Sequence, residues 1–260
     1  MRKVIQIAQE RGWKSSLHDY VRKKNYYLYG YSSDITRADW KILLPKLRNA
    51  TILDYGCGWG SISISLSQGC GKIIALDSTY ERVQFLNIRR TQEKISNLYP
   101  VCAGDTFELP FPNSYFDVII LNGVLEWIGA TFPYKGPSRA QVEFLRSLWR
   151  VLKKDGCLYI GIENRFGLQY LLGARDHSKL RFTSVLPRNI ARILSQLFLK
   201  QNYYTYTYSY KGYKILLEKS GFAYNQFYSS LPRYRAPSIL LPLDNSVPFN
   251  FLLKSQLQPL

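Results

Sequence analysis

Ile52-Leu53-Asp54-Tyr55-Gly56-Cys57-Gly58-Trp59-Gly60 sets the architecture, because an apolar strand turns here through three alternate glycines into a helix. Glycine is needed where such a turn takes positive φ, or where backbone approaches a ligand with no Cβ in the way. The first amides of the following helix suit an anionic group. A dinucleotide fingerprint requires G-x-G-x-x-G, and Ser61 stands where its third glycine would fall, so a nicotinamide cofactor is disfavoured. No Gly-Lys-Ser/Thr follows, which excludes a P-loop in this segment.

Outward from the loop, short apolar runs alternate with helix-length segments, as in a parallel sheet with crossover helices. Strands are predicted at 51–54, 72–77, 98–102, 117–121 and 157–162, with helices at about 60–68, 79–95 and 138–153. Lys153, Lys154 and Asp155-Gly156 suit the C-terminus of the last helix, through its dipole and a left-handed cap. A further helix over 211–220 stops at Gly221, and strands near 224–229 and 248–254 bring the sheet to seven. The expectation is an α/β Rossmann-like fold: a mostly parallel seven-stranded sheet with helices on both faces. Residues 1–50 read as a helical, basic, Tyr-rich cap, with Ile42, Leu43 and Leu47 at helical spacing, and 51–260 as the main domain. Residues 164–210 form an insertion at a strand's carboxyl end, where open α/β sheets place substrate determinants.

The 260 residues suffice for one substantial core, and 46% hydrophobic against 20% charged is an ordinary globular balance. Thirty-five Lys and Arg against 18 Asp and Glu leave a formal +17, which favours anionic partners: nucleic acid, phosphorylated metabolites or an acidic membrane surface. The four cysteines, Cys57, Cys70, Cys102 and Cys157, include no C-x-x-C pair, so neither zinc nor a disulfide framework is expected, and no metal site is assigned. The opening Met1-Arg2-Lys3 lacks a signal-like apolar region, and no run approaches the roughly 20 apolar residues that span a bilayer. A reducing cytoplasm is the expected compartment, with the inner membrane surface as an alternative.

Asp54-x-Gly56-x-Gly58-x-Gly60 resembles motif I of class I S-adenosylmethionine-dependent methyltransferases, in a type 11-like domain running from about Thr51 to Glu163. Asp77 closes the second strand where that family holds the ribose hydroxyls, a task a carboxylate performs as a bidentate acceptor. Gly104-Asp105 resembles the adenine-contacting position. The segments Glu108 to Ile119 and Leu148 to Gly156 are similar to the two later family blocks. The resemblance implies S-adenosylmethionine as cofactor, with Asp54, Gly56, Cys57, Gly58, Gly60, Asp77, Ser78, Gly104, Asp105, Thr106 and Asn122 around it. Asn122 and Glu126, after the fourth strand, fall where the family lines its transfer cleft. Trp59 departs from the small residue usual at its position, and either packs under the cofactor or covers the helix.

Methyl transfer to oxygen or nitrogen needs a base where the nucleophile has a proton to lose. His177, in Arg175-Asp176-His177 of the insertion, is the candidate, with Asp176 as a neighbour able to tune it. Gly161 to Leu168 runs off the fifth strand toward it and, with Leu231 to Pro237, loosely resembles methyltransferase domains of bacterial surface-glycan assembly. In that reading Glu163, Arg165 and His177 shape the site of an anionic small-molecule or glycan acceptor, methylated on oxygen. RNA methylation and non-catalytic cofactor binding are the alternatives. Tyr203 to Tyr210 alternates with period two and either stacks on an acceptor or packs on the core. Ile190, Ile193, Leu194 and Leu197 form a helical apolar stripe near Arg188, Arg192 and Lys200, read as a lid or core helix or as peripheral membrane contact.

Overall fold

Strand β1 (Thr51–Tyr55) is enclosed on both faces, so consecutive Ile52 and Leu53 are both apolar, and Asp54 is buried with them. In the computed structural model, which describes residues 1–44 and 47–243, it forms the middle of a five-stranded parallel sheet. The others are β2 (Lys72–Asp77), β3 (Leu98–Cys102), β4 (Phe116–Asn122) and β5 (Leu152–Gly161), in the order β3-β2-β1-β4-β5. Alternate β1 side chains enter opposite cores. Leu53 packs with Phe144 and Leu148 of the Pro137–Val151 helix, whereas Ile52 packs with Ile62 and Leu66 of the Ser61–Ser67 helix.

The sheet differs from the seven-stranded expectation. The strand expected over 224–229 lies at Tyr228–Leu231 (β6) and pairs antiparallel with Ile239–Pro242 (β7) in a separate two-stranded sheet. The strand expected over 248–254 lies outside the described residues. The helix expected to reach Lys153 stops at Val151, because buried Leu152 takes extended backbone and pairs with Phe116. Lys153 is therefore in β5 and donates to Asp117 Oδ1 at 2.7 Å, and packing of Leu152 overrides the pattern that reads as a helix end.

The N-terminal residues wrap the outside of this core. Val4 and Ala8 of the Arg2–Arg11 helix meet Phe85 of the Tyr80–Gln92 helix and Trp59, so Trp59 is a packing residue against the N-terminal helices. Two buried arginines fasten the layer. Arg89 lies over the Trp13 ring and donates to Ser32 O, while Arg37 lies over Tyr31 and donates to Ser61 Oγ at 2.8 Å. The stretch around Ile42 is a 3₁₀ helix, Ile35–Leu43, anchored by Trp40 stacked on Tyr159; Ile42 itself is exposed.

The insertion is tied down at both ends, since Arg165 N donates to Tyr208 O, and Asn164 bridges Tyr208. Between them lie the Leu168–Leu171 and Arg188–Leu199 helices. In the Tyr203 to Tyr208 run, Tyr203, Thr205 and Thr207 are buried, and the Tyr206 ring lies against Arg188. The period-two alternation is thus used for packing. Among the described residues no helix is long and apolar enough to cross a membrane.

Candidate active site

The carboxyl ends of the parallel strands set the site, because register brings their exits side by side. Tyr55 of β1 is level with Leu76 of β2 and Leu121 of β4, and Asn122 is level with Gly161 of β5. The glycine loop therefore lies between Asp77 on one side and Asn122 on the other.

Most loop amides are already bonded. Gly56 N and Cys57 N donate to Leu76 O, and Gly58 N donates to Asp77 Oδ2 at 2.9 Å. Asp77 Oδ1 accepts from Thr79 N, and Arg82 lies 3.5 Å from Oδ2. Asp54, 1% exposed, accepts from Ser63 Oγ, so its carboxyl secures the helix that follows the loop. Burial pushes that carboxyl up to about 6, against the Ser63 bond. Cys57 is buried, and burial holds its thiol well above the ordinary range. Gly104 O accepts from Tyr55 Oη, while Ser78, Asp105 and Thr106 are exposed at the adjoining strand ends.

A second group lies beyond β4 and β5. His177 Nε2 is 2.9 Å from Glu163 Oε2, an ionic contact rather than a straight hydrogen bond, and 3.6 Å from Glu126 Oε1. Glu163 is held in place: Tyr170 Oη donates to its Oε2 at 2.6 Å, Tyr213 Oη donates to its backbone carbonyl, and Arg235 approaches Oε1 at 3.5 Å. Arg235 also donates to Tyr27 and Tyr234, so one guanidinium joins the N-terminal layer, the β6–β7 loop and the site. The Trp127 ring lies 4.8 Å from the imidazole.

Electrostatics follow from this enclosure. Burial disfavours the charged His177 ring, but Glu163 and Glu126 outweigh it and hold its pKa above the ordinary value. Burial works against the charged form of Glu163 too, and His177 and the Tyr170 bond bring it below the usual carboxylate range. Glu126 is 0% exposed and, among the described residues, neither of its oxygens has a hydrogen-bond partner. Burial pushes it up to about 7.

A carboxyl whose folded pKa is raised loses stability as pH climbs from its unfolded value toward about 7. Glu126→Gln removes that titration. Its urea midpoint is expected to fall less than the parent's between about pH 5 and about pH 8. Equal slopes would place the Glu126 carboxyl in contact with water.

The site joins Glu163 and His177 but not Arg165 or Asp176. Arg165 donates to the carbonyls of Ser184 and Leu186, a bond set that pins the insertion, and it has no contact with His177. Asp176 accepts from Ser178 N, Ser178 Oγ, Thr183 Oγ1 and Tyr203 Oη in a turn of its own. Glu163 takes the place beside the imidazole expected of Asp176. Arg235 and Tyr27 enter from distant segments, and Tyr170 from within the insertion; of the three only Arg235 lies in a motif that the sequence singles out, the Leu231 to Pro237 stretch.

Residues 46–206 match a family model described as a methyltransferase domain, more than half of the chain. The chain belongs to this family. It is 32% identical over 118 residues to a malonyl-[acyl-carrier protein] O-methyltransferase of Herminiimonas arsenicoxydans, covering 45% of this chain and 38% of that protein. It is 26% identical over 121 residues to the cypemycin N-terminal methyltransferase of a Streptomyces species, covering 46% and 45%. These matches span less than half the length of either relative. A solved S-adenosylmethionine-dependent methyltransferase of Aquifex aeolicus superposes with a TM-score of 0.50 at 16% identity, over 81% of this chain and 89% of that one, a likeness of fold.

S-adenosylmethionine is the cofactor of the domain, and the residues at the loop fit it. Gly58 takes φ of +58°, a conformation that favours glycine and lets the loop turn back between the strand ends. Asp77 accepts one amide bond per oxygen and keeps acceptor capacity for ribose hydroxyls. Asn122, buried beside the loop, has neither its amide nitrogen nor its oxygen bonded among the described residues. Such an orphan in this cleft is what a polar ligand would satisfy.

Proposed function

We propose that this methyltransferase domain transfers the methyl group of S-adenosylmethionine to an oxygen of an anionic, hydroxyl-rich acceptor: a sugar, sugar nucleotide or glycan precursor. The carrying observation is the place of His177, between two carboxylates and next to the strand ends that bear the cofactor loop. The cofactor supplies an electrophilic methyl group; the protein supplies alignment and a proton acceptor. In this reading neutral His177 takes the hydroxyl proton, and Glu163 orients the ring and stabilises the imidazolium that results. Tyr170 and Tyr213 hold Glu163 still. Unfilled acceptor and donor capacity on Glu126 and Asn122 supports a polyhydroxylated acceptor, and Arg235 with the basic surface supports an anionic one.

The test is transfer of labelled methyl to a panel of nucleoside-diphosphate sugars and, in parallel, to RNA at low and high salt. Label in sugar is the expected result. Label in RNA, with affinity falling steeply as salt rises, would replace this reading with RNA methylation. Cofactor binding with no transfer to any acceptor would make the domain a binding protein.

A further inference from the structure

The Arg188–Leu199 helix is seated the wrong way round for a core or lid helix. Its buried residues are the small Ala191 and Ser195, whereas Ile190, Ile193, Leu197 and Phe198 are exposed, the last two at 70% each. At 100° per residue these four and Leu194 share one continuous face, which a soluble helix would turn inward. The same insertion exposes Leu168, Leu171 and Leu172 on and after its short first helix.

The insertion that bears that face is one-sided in charge. Between 164 and 202 stand Arg165, Arg175, Lys179, Arg181, Arg188, Arg192 and Lys200 against a single acid, Asp176, whose oxygens are taken up by Ser178, Thr183 and Tyr203. Lys200, exposed at the C-cap, adjoins the apolar face, whereas exposed Arg192 lies on the opposite side of the helix. A second copy would set like charge against like across a chain of net +17, and nucleic acid offers no hydrocarbon to cover the leucines. An exposed apolar face on a basic insertion, with Lys200 at its end, matches the interface of an anionic bilayer.

We propose that the Arg188–Leu199 helix docks this domain on membrane surfaces containing acidic lipids. Twelve residues make a helix about 18 Å long, too short to span a bilayer and suited to lie in its interfacial plane. The insertion that bears the helix also bears His177, so docking holds the acceptor cleft near the leaflet. The proposal does not depend on which acceptor is methylated.

Sedimentation of the full chain with vesicles tests it, comparing phosphatidylcholine alone with phosphatidylcholine containing about one-third phosphatidylglycerol. The chain is expected to pellet with the anionic vesicles only. Lys200→Gln should weaken partition roughly fivefold, Arg192→Gln on the far side of the helix much less, and Leu197→Ser with Phe198→Ser at least about tenfold. Both sets of residues are solvent-exposed, so far-ultraviolet circular dichroism and S-adenosylhomocysteine binding should be unchanged. No partition into anionic vesicles, or partition that survives Leu197→Ser with Phe198→Ser, would overturn the proposal. A dimer in solution that the same pair of changes dissociates would assign the face to a second copy. Partition gained only after removal of residues 244–260 would assign it to the chain's own C-terminal residues.

Discussion

His177→Ala is expected to slow methyl transfer by roughly 100- to 10,000-fold, the usual contribution of a positioned general base, with affinity for S-adenosylhomocysteine little changed. The separation follows from geometry: His177 contacts Glu163, Glu126 and Trp127, while the cofactor loop is held by Leu76, Asp77 and Ser63. The pH profile carries the sign. Because neighbouring carboxylates outweigh burial and raise the ring's pKa, activity should climb with pH along a limb lying above the ordinary histidine value near 6.5. Glu163→Gln removes the nearer carboxylate and should move that limb to lower pH. An unmoved limb, or full activity in His177→Ala, would remove His177 from proton transfer and leave the cluster a structural one.

Gly60→Val is expected to cost about 3 kcal/mol or more of stability, read from urea unfolding, and to abolish S-adenosylhomocysteine binding. Gly60 has φ of +82°, where a β-branched side chain is strained, and a Cβ there would lie 2.2 Å from Leu86 Cδ1. Leu86 is fully buried beneath the loop, so it has little room to yield. The loop would have to lift from the Tyr80–Gln92 helix, breaking the Gly58–Asp77 bond that shapes it. A variant as stable as the parent would mean that the loop can take another path.

The cofactor side of the site was legible in the sequence because its signals are local. Strand, alternate glycines, helix and a carboxylate at the end of the next strand all lie within Thr51 to Asp77, and parallel pairing then brings Asp77 to Gly58. The acceptor side was legible only in part. Glu163 follows β5 directly and His177 stands out by composition, but their meeting depends on how the insertion folds. That path is fixed by long-range bonds: Arg165 to the Ser184 and Leu186 carbonyls, and Tyr203 to Asp176. Chain adjacency therefore points to Asp176, whereas the fold supplies Glu163. Arg235 and Tyr27 are 208 positions apart in sequence and meet at the site, a contact that no local pattern encodes. The helix end at Val151 is hidden for a related reason, since pairing of Leu152 with Phe116 is decided in the sheet.

Calorimetric titration of S-adenosylhomocysteine into the purified chain, repeated with Asp77→Ala, tests the central claim most directly. One site per chain is expected, with binding lost in the variant, and ligand at about a hundred times its dissociation constant should add about 2.7 kcal/mol of stability to the parent alone. Folded, ligand-free protein that releases no heat and gains no stability would contradict it, leaving the glycine loop without the cofactor its geometry fits.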